Sequence, residues 1–272
     1  MSSTRHPALS GLLLAAAGAI AFSGKAIIVK LSYRYGVDAV TVIMYRMLLA
    51  LPFFLLLGWW SERQTVARNN PLSRQDVMGI VALGFVGYYL SSYLDFLGLQ
   101  YITASLERLI LYLNPTLVVL LGWLLFKKQI QPIRMLAMGV SYSGVLLVFA
   151  HELSFAGTDV VLGSSLVFAS ALTYAVYLIY SGQLVQRVGA MRLVGWATSV
   201  ACVCCIVQFL VLRPLSAAVV PTEVLWLAAL NALACTVAPV LMVMMAIERI
   251  GAALTAQTGM IGPMATIALG VL

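Results

Sequence analysis

TASLERLILYLNPTL, residues 103–117, lies within an apolar run, yet it sets Glu107 beside Arg108 and puts an Asn114-Pro115 pair in the middle. The run around it, 104–126, is long enough to cross the hydrocarbon core as a helix, which takes about 20 residues. An ionisable side chain at mid-membrane costs about 2.5–3.5 kcal/mol on insertion scales, so such groups face a bundle interior or water and find partners. A proline inside a helix removes one backbone donor and clashes with the carbonyl four residues earlier. Here that frees the Leu111 carbonyl near mid-membrane, and lining a cavity is one way to satisfy it. The stretch reads as a broken membrane helix with a charged outer end.

The rest of the chain agrees with a bilayer as its solvent. Of 272 residues, 62% are hydrophobic and 9% charged, against about 45–50% and 25% in a soluble domain. Nine apolar runs follow one another, at 9–31, 39–60, 76–98, 104–126, 132–150, 160–181, 191–212, 223–247 and 253–272. Short connections with turn chemistry join them, and no long hydrophilic segment leaves room for an attached soluble enzyme. The run at 9–31 is too long for a cleaved signal segment and reads as a retained helix. The net charge of +7 does not point to nucleic acid, because the basic residues sit in short connections rather than on one wet face.

Lysine and arginine placement orients the chain. With the N-terminus in the cytoplasm, ten fall on the inside: Arg5, Arg63, Arg68, Arg74, Lys127, Lys128, Arg134, Arg187, Arg192 and Arg249. Three fall outside (Lys30, Arg34, Arg213), and Lys25, Arg46 and Arg108 lie within spans. The excess predicts a cytoplasmic N-terminus.

Sliding the chain by 148 positions lays residues 83–122 on 231–270 without a gap. Six identities, crowded towards the end and including Pro115 on Pro263, suggest an internal repeat. The first copy, 1–150, would hold five helices. The second, 151–272, would hold four and enter from the opposite side, the inverted plan of many secondary transporters. The expected fold is an all-α polytopic membrane protein on a ten-helix plan with nine spans present. The offset places the end of a complete second copy near about position 298, so a tenth helix is expected beyond Leu272.

LDFLGLQYITASLERLILYLNPTLVVLLGWLLFKKQIQP, residues 94–132, resembles the signature across the third to fifth helices of EamA-type permeases of the drug/metabolite transporter superfamily. Arg46 in MYRMLLALPFF and the start of the first run are similar too, while Ser23-Gly24 departs from a family pattern that often has tryptophan before the glycine. The resemblance implies two inverted five-helix repeats, a central substrate cavity, and export of amino acids or related metabolites across the plasma membrane.

Five intramembrane charges form the candidate site: Lys25, Arg46, Asp95, Glu107 and Arg108. At 1.5 Å per residue all five fall in the outer half of the first repeat. Asp95 or Glu107 is expected to pair with Arg46 or Arg108, Asp95 and Glu107 to sit at the interface, and Lys25 to snorkel. Arg46 is too deep for that and needs a buried partner. Neighbours on a helix point about 100° apart, so only one of Glu107 and Arg108 can face a cavity squarely. Arg46 or Lys25 would hold an anionic group, and Glu107, with Asp95 and Arg108, would handle a proton or form an ion-pair staple. Tyr88 and Ser92 share a face with Asp95. Tyr112, Asn114, Tyr174, Tyr177 and Gln257 complete the expected substrate wall. Tyrosines offer a π face and a hydroxyl, whereas Trp59, Trp60, Trp226 and Tyr180 suit an interfacial belt. Pro115 and Pro263 are expected hinges.

The partners expected are a small-molecule substrate and the lipid bilayer, with no nucleic acid, and a homodimer is an assembly the chain could form. No cofactor is expected. The cysteines 202, 204, 205 and 235 have no histidine partners in metal-binding spacing and read as packing residues. An intramembrane enzyme would need a nucleophile and base or metal ligands at matched depth, and no His lies within a span, nor any HExxH or GxSxG. A channel would show flux without saturation. An exporter of organic cations or drugs fits the tyrosines but not three basic groups within the spans.

Overall fold

Hydrocarbon offers a backbone no hydrogen-bond partner, so a spanning segment must satisfy its own amides, and helices do so. The computed structural model describes residues 5–64, 71–127, 158–259, 261 and 262, with isolated positions 136, 139, 140, 143 and 147. Among them, seven helices are long and apolar enough to cross a membrane: α1 (Leu9–Tyr33), α2 (Ala39–Arg63), α3 (Arg74–Gly98), α4 (Ala104–Phe126), α5 (Asp159–Val188), α6 (Ala190–Leu212) and α7 (Thr222–Ile250). A short α8 (Ala252–Thr258) follows, and no strand occurs among the described residues. The expected run at 132–150 lies almost wholly outside those residues, as does the end of 253–272 with Pro263.

Local chemistry sets the helix ends. Ser73 and Asp76 form a reciprocal capping box at the start of α3, and the Thr103 hydroxyl accepts from the Leu106 amide at 3.1 Å to start α4. Gly189 and Gly251, at φ +83° and +81°, make the one-residue turns that fold α5 onto α6 and α7 onto α8. Asp38 caps α2: its carboxylate accepts from the Val40 amide at 3.1 Å, the Thr41 hydroxyl at 2.6 Å and Arg213 Nε at 2.9 Å.

Burial pulls the Asp38 carboxyl upward, but the bonds from Thr41, Arg213 and Val40 outweigh it and hold the group below its ordinary value. A carboxyl lowered in the folded state stabilises it above the unfolded value and loses that contribution as pH falls through the folded one. Asp38→Ala is therefore expected to cost about 1 kcal/mol near neutral pH. In thermal melts of detergent-solubilised protein, the gap between wild type and variant should close as pH drops below 3.8. A gap that is constant with pH would show that the carboxylate charge plays no part.

Small residues let the helices touch. A Cβ on Gly195 of α6 would meet the Gly58 amide nitrogen of α2 at 2.5 Å. One on Gly84 of α3 would meet the Ala197 carbonyl of α6 at 2.2 Å, and one on Gly98 would meet Val167 of α5 at 2.6 Å. Without a hydrophobic drive between helices in lipid, such close approach and interhelical hydrogen bonds supply the cohesion. Ser91 and Ser170 show the second kind, the Ser170 hydroxyl donating to the Ser91 carbonyl at 2.8 Å.

Polar contacts sort the helix ends into two sides. On the first side, Arg192 binds Glu62 through Nε at 2.6 Å and Nη2 at 2.5 Å, and Arg187 pairs with Asp76 at 3.0 Å. The Glu248 carboxylate accepts from the Ala190 amide at 3.2 Å, and Arg249 donates to Ser10 at 3.0 Å. These contacts gather the starts of α1, α3 and α6 with the ends of α2, α5 and α7. On the second side, Arg213 pairs with Asp38, the Tyr45 hydroxyl donates to the Ala218 carbonyl, and the Tyr33 hydroxyl donates to the Phe96 carbonyl at 2.6 Å. Trp59, Trp60 and Trp226 are exposed near helix ends, where the interfacial belt is expected.

Candidate functional site

Four helices are interrupted, α1 at Gly24 among them, and the interruptions border one cavity. In α4 the first helical piece ends at Leu111 and a second begins at Asn114, with Pro115 at its first turn, where a missing N–H costs nothing. The turn between them tightens, the Leu113 amide donating to the Ile110 carbonyl at 3.0 Å. The expected break is thus a clean restart rather than a kinked continuous helix. In α3 a π-turn spans Gly84–Leu90, and in α7 another spans Leu233–Val237. Both lie at mid-helix, and π-turns re-aim the side chains that follow them.

Element boundaries correspond at the offset of 148. Helical pieces begin at Arg74 and Thr222 and again at Ala104 and Ala252, and the two π-turns overlap. The cavity, about 180 Å³, is bounded from both halves. Its wall holds Tyr88, Ser92, Asp95 and Arg108 from one half and their counterparts at that offset, Thr236, Val240, Val243 and Ala256, from the other. Leu111 and Asn114 face Gly259 and Gly262 in the same relation. One wall is polar and charged, and the other small and mostly apolar.

Lys25 sits at the restart of α1 after Gly24. It bonds to Asp95 Oδ2 and stands 3.6 Å from Glu107 Oε1. It does not snorkel: its side chain is 13% exposed and faces the cavity. Asp95 and Glu107 are not interfacial either, being 2% and 0% exposed. Helix packing covers their ends, which depth along a single helix could not reveal.

Glu107 lies behind the wall. Arg108 Nε approaches its Oε2 at 3.1 Å, and Arg108 Nη2 donates to the Phe22 carbonyl at 3.1 Å. Neither Glu107 oxygen has an aligned hydrogen bond among the described residues, so the contacts are electrostatic. Arg108 lines the cavity and Glu107 does not, as their 100° separation requires.

Arg46 is 3% exposed and lines the cavity. No carboxylate stands in ion-pair contact with it among the described residues: Nη2 donates to Ser92 Oγ at 3.0 Å, and the guanidinium lies 4.7 Å from the centre of the Phe96 ring. Of the expected pairings of Asp95 or Glu107 with Arg46 or Arg108, Glu107 with Arg108 forms, while Asp95 pairs with Lys25 instead, because α1 rather than α2 brings its cation to the end of α3.

The remaining candidates divide. Tyr112, Asn114, Pro115 and Tyr174 line the cavity. Tyr177 is fully buried behind it, stacked 5.7 Å from Tyr174 and edge-on to Tyr88 at 4.9 Å. A Cβ on Gly87 would meet its ring at 2.2 Å, so Tyr177 braces the wall. Gln257 is not part of the wall among the described residues. The wall also holds hydroxyls that the sequence did not single out, Ser91, Ser170, Thr236 and Thr255. The repeat offset could have found Thr236 from Tyr88. The others are isolated hydroxyls with no distinguishing spacing.

The model of the EamA-like transporter family matches residues 9–150. Over 277 aligned residues the chain is 27% identical to YcbK, described as an uncharacterized transporter of Bacillus subtilis strain 168, covering 97% of this chain and 85% of that protein. A solved structure described only as the crystal structure of a protein shares the fold at TM-score 0.70 and 17% identity, across 97% of this chain and 88% of that one.

Proposed function

The chain belongs to the EamA-like transporter family and is a multi-pass membrane transporter, and on that premise we propose that it works as a secondary exporter of small polar metabolites, amino acids and their relatives, by alternating access. The observation that carries this reading is the cavity bounded by matched positions of two halves, with buried ion pairs on one wall. In the proposed arrangement residues 1–150 and 151–272 are inverted repeats, supported by the common offset of their helix starts and π-turns. The N-terminus faces the cytoplasm of a bacterial-type plasma membrane, supported by the arginine-rich first side.

Substrate enters between the repeats and meets Arg46, Lys25, Ser92 and the tyrosines. Glu107 gains and loses a proton as the repeats rock, its buried carboxylate trading its contacts with Arg108 and Lys25 for the proton. The break before Pro115 and the two π-turns supply the hinges.

The test is reconstitution of the full chain in liposomes, with labelled metabolites and a pH-sensitive dye inside. Saturable flux is expected. Flux that rises linearly with concentration for every solute would mark a channel and overturn the reading.

A further inference from the structure

Three cations and two carboxylates occupy the cavity wall and the layer behind it, and both carboxylates stand in ion-pair contact with Lys25 or Arg108. Asp95 is held by Lys25, and Glu107 lies between Arg108 and Lys25. Arg46 is left with a serine hydroxyl and an aromatic face, and its Nε has no partner among the described residues. A guanidinium buried to 3% exposure with no carboxylate in ion-pair contact among the described residues is costly unless something anionic joins it. Its planar fork matches a carboxylate through two parallel bonds.

The opposite wall narrows the choice. There Val240, Val243, Ala256, Gly259 and Gly262 are apolar and Ser170, Tyr174, Thr236 and Thr255 add neutral hydroxyls, so among the described residues that wall offers neither a carboxylate for an ammonium nor a second cation for a dianion. A zwitterion would leave the excess positive charge in place, an organic cation would add to it, and a single negative charge would cancel it.

We propose that the cargo is a small organic monoanion, its carboxylate on Arg46 and Ser92 and its apolar tail against Val240, Val243 and Ala256. The inference rests on the transport reading and narrows it from polar metabolites at large to anionic ones, setting aside the amino-acid zwitterions in favour of their carboxylate relatives. Space of about 180 Å³ suits a compact solute.

Two matched trios of probes separate charge from shape: isovalerate, valine and isobutylamine, then 3-phenylpropanoate, phenylalanine and phenethylamine. Binding of each to the purified full chain in lipid nanodiscs is measured by calorimetry, independently of flux. The monoanion of at least one trio is expected to bind about 10-fold or more tightly than its zwitterion and cation, and Arg46→Gln to lose about 10-fold or more of that affinity. Ser92→Ala, which keeps the charge, should lose less. If Arg46→Gln fails to elute as a monodisperse protein, the wild-type ranking and Ser92→Ala decide. Equal or tighter binding of the zwitterions overturns the proposal, as does the absence of monoanion binding at millimolar concentration, or affinity unchanged by Arg46→Gln. Arg46-dependent anion binding without flux in liposomes would sink the transport reading and leave the anion site standing. Saturable valine flux that isovalerate and 3-phenylpropanoate fail to inhibit would do the reverse.

Discussion

Glu107→Gln is expected to abolish substrate-linked proton movement in reconstituted vesicles while leaving the protein folded. Glutamine keeps the size and one acceptor oxygen but cannot exchange a proton. The substitution removes one negative charge from a buried cluster with an excess of cations, so Arg108 keeps the Phe22 carbonyl and a neutral amide oxygen in place of the carboxylate, and Lys25 keeps Asp95. Some loss of stability follows from leaving a buried charge without its counter-ion. The discriminating readout is therefore the ratio of proton to substrate movement rather than the absolute flux. In the wild type a pH-sensitive dye should respond when substrate is added, and in Glu107→Gln that response should vanish while substrate exchange persists. If both proteins move substrate equally and neither moves protons, the protein is a facilitator and Glu107 is an ion-pair residue. If the variant still couples, the proton is carried elsewhere.

Lys25→Met should be the most damaging single change to stability. Asp95 is 2% exposed, and Lys25 is its ion-pair partner among the described residues. Removing one member of a buried pair costs about 3–5 kcal/mol, because the survivor is left charged and desolvated. Methionine retains most of the stem, so lost packing contributes little. The same logic predicts rescue. In Lys25→Met/Asp95→Leu the orphan carboxylate is gone and Glu107 still has Arg108, so much of the loss should return. Thermal unfolding of the two single variants and the double variant gives the coupling directly. A double variant no more stable than Lys25→Met would mean that Lys25 acts chiefly through Glu107, 3.6 Å away. The rescued protein should remain unable to transport if the pair belongs to the proposed site.

Much of the architecture was legible from residue order. The apolar runs at 39–60 and 104–126 begin at the residues where α2 and α4 begin, because a hydrocarbon solvent makes hydropathy and helix length nearly the same signal. The placement of Tyr88, Ser92 and Asp95 on one face was legible for a similar reason, since three residues on one helix have a geometry fixed by its period, and all three reach the cavity. The offset of 148 could be read as well, and it marks where the structure has matching π-turns, although the turns themselves have no sequence signature beyond nearby glycine and proline.

What residue order determined, then, was a membrane chain of helices, the position of each charge along its own helix and the break before Pro115. Those properties depend on one helix at a time and on the solvent around it. Which charges meet was decided only by the tertiary structure. The sequence pointed to Arg46 or Arg108 for Asp95 and to snorkelling for Lys25, yet the partner came from α1, because helix rotation and close approach, not depth, bring two side chains within bonding distance. The same packing left Arg46 beside Ser92 and Phe96 with no carboxylate in ion-pair contact among the described residues, and put Tyr177 behind the wall and Glu107 beneath it. A helix period gives the direction of a side chain relative to its own axis. Only the neighbouring helices, set by contacts such as Gly58 on Gly195, determine what stands in that direction.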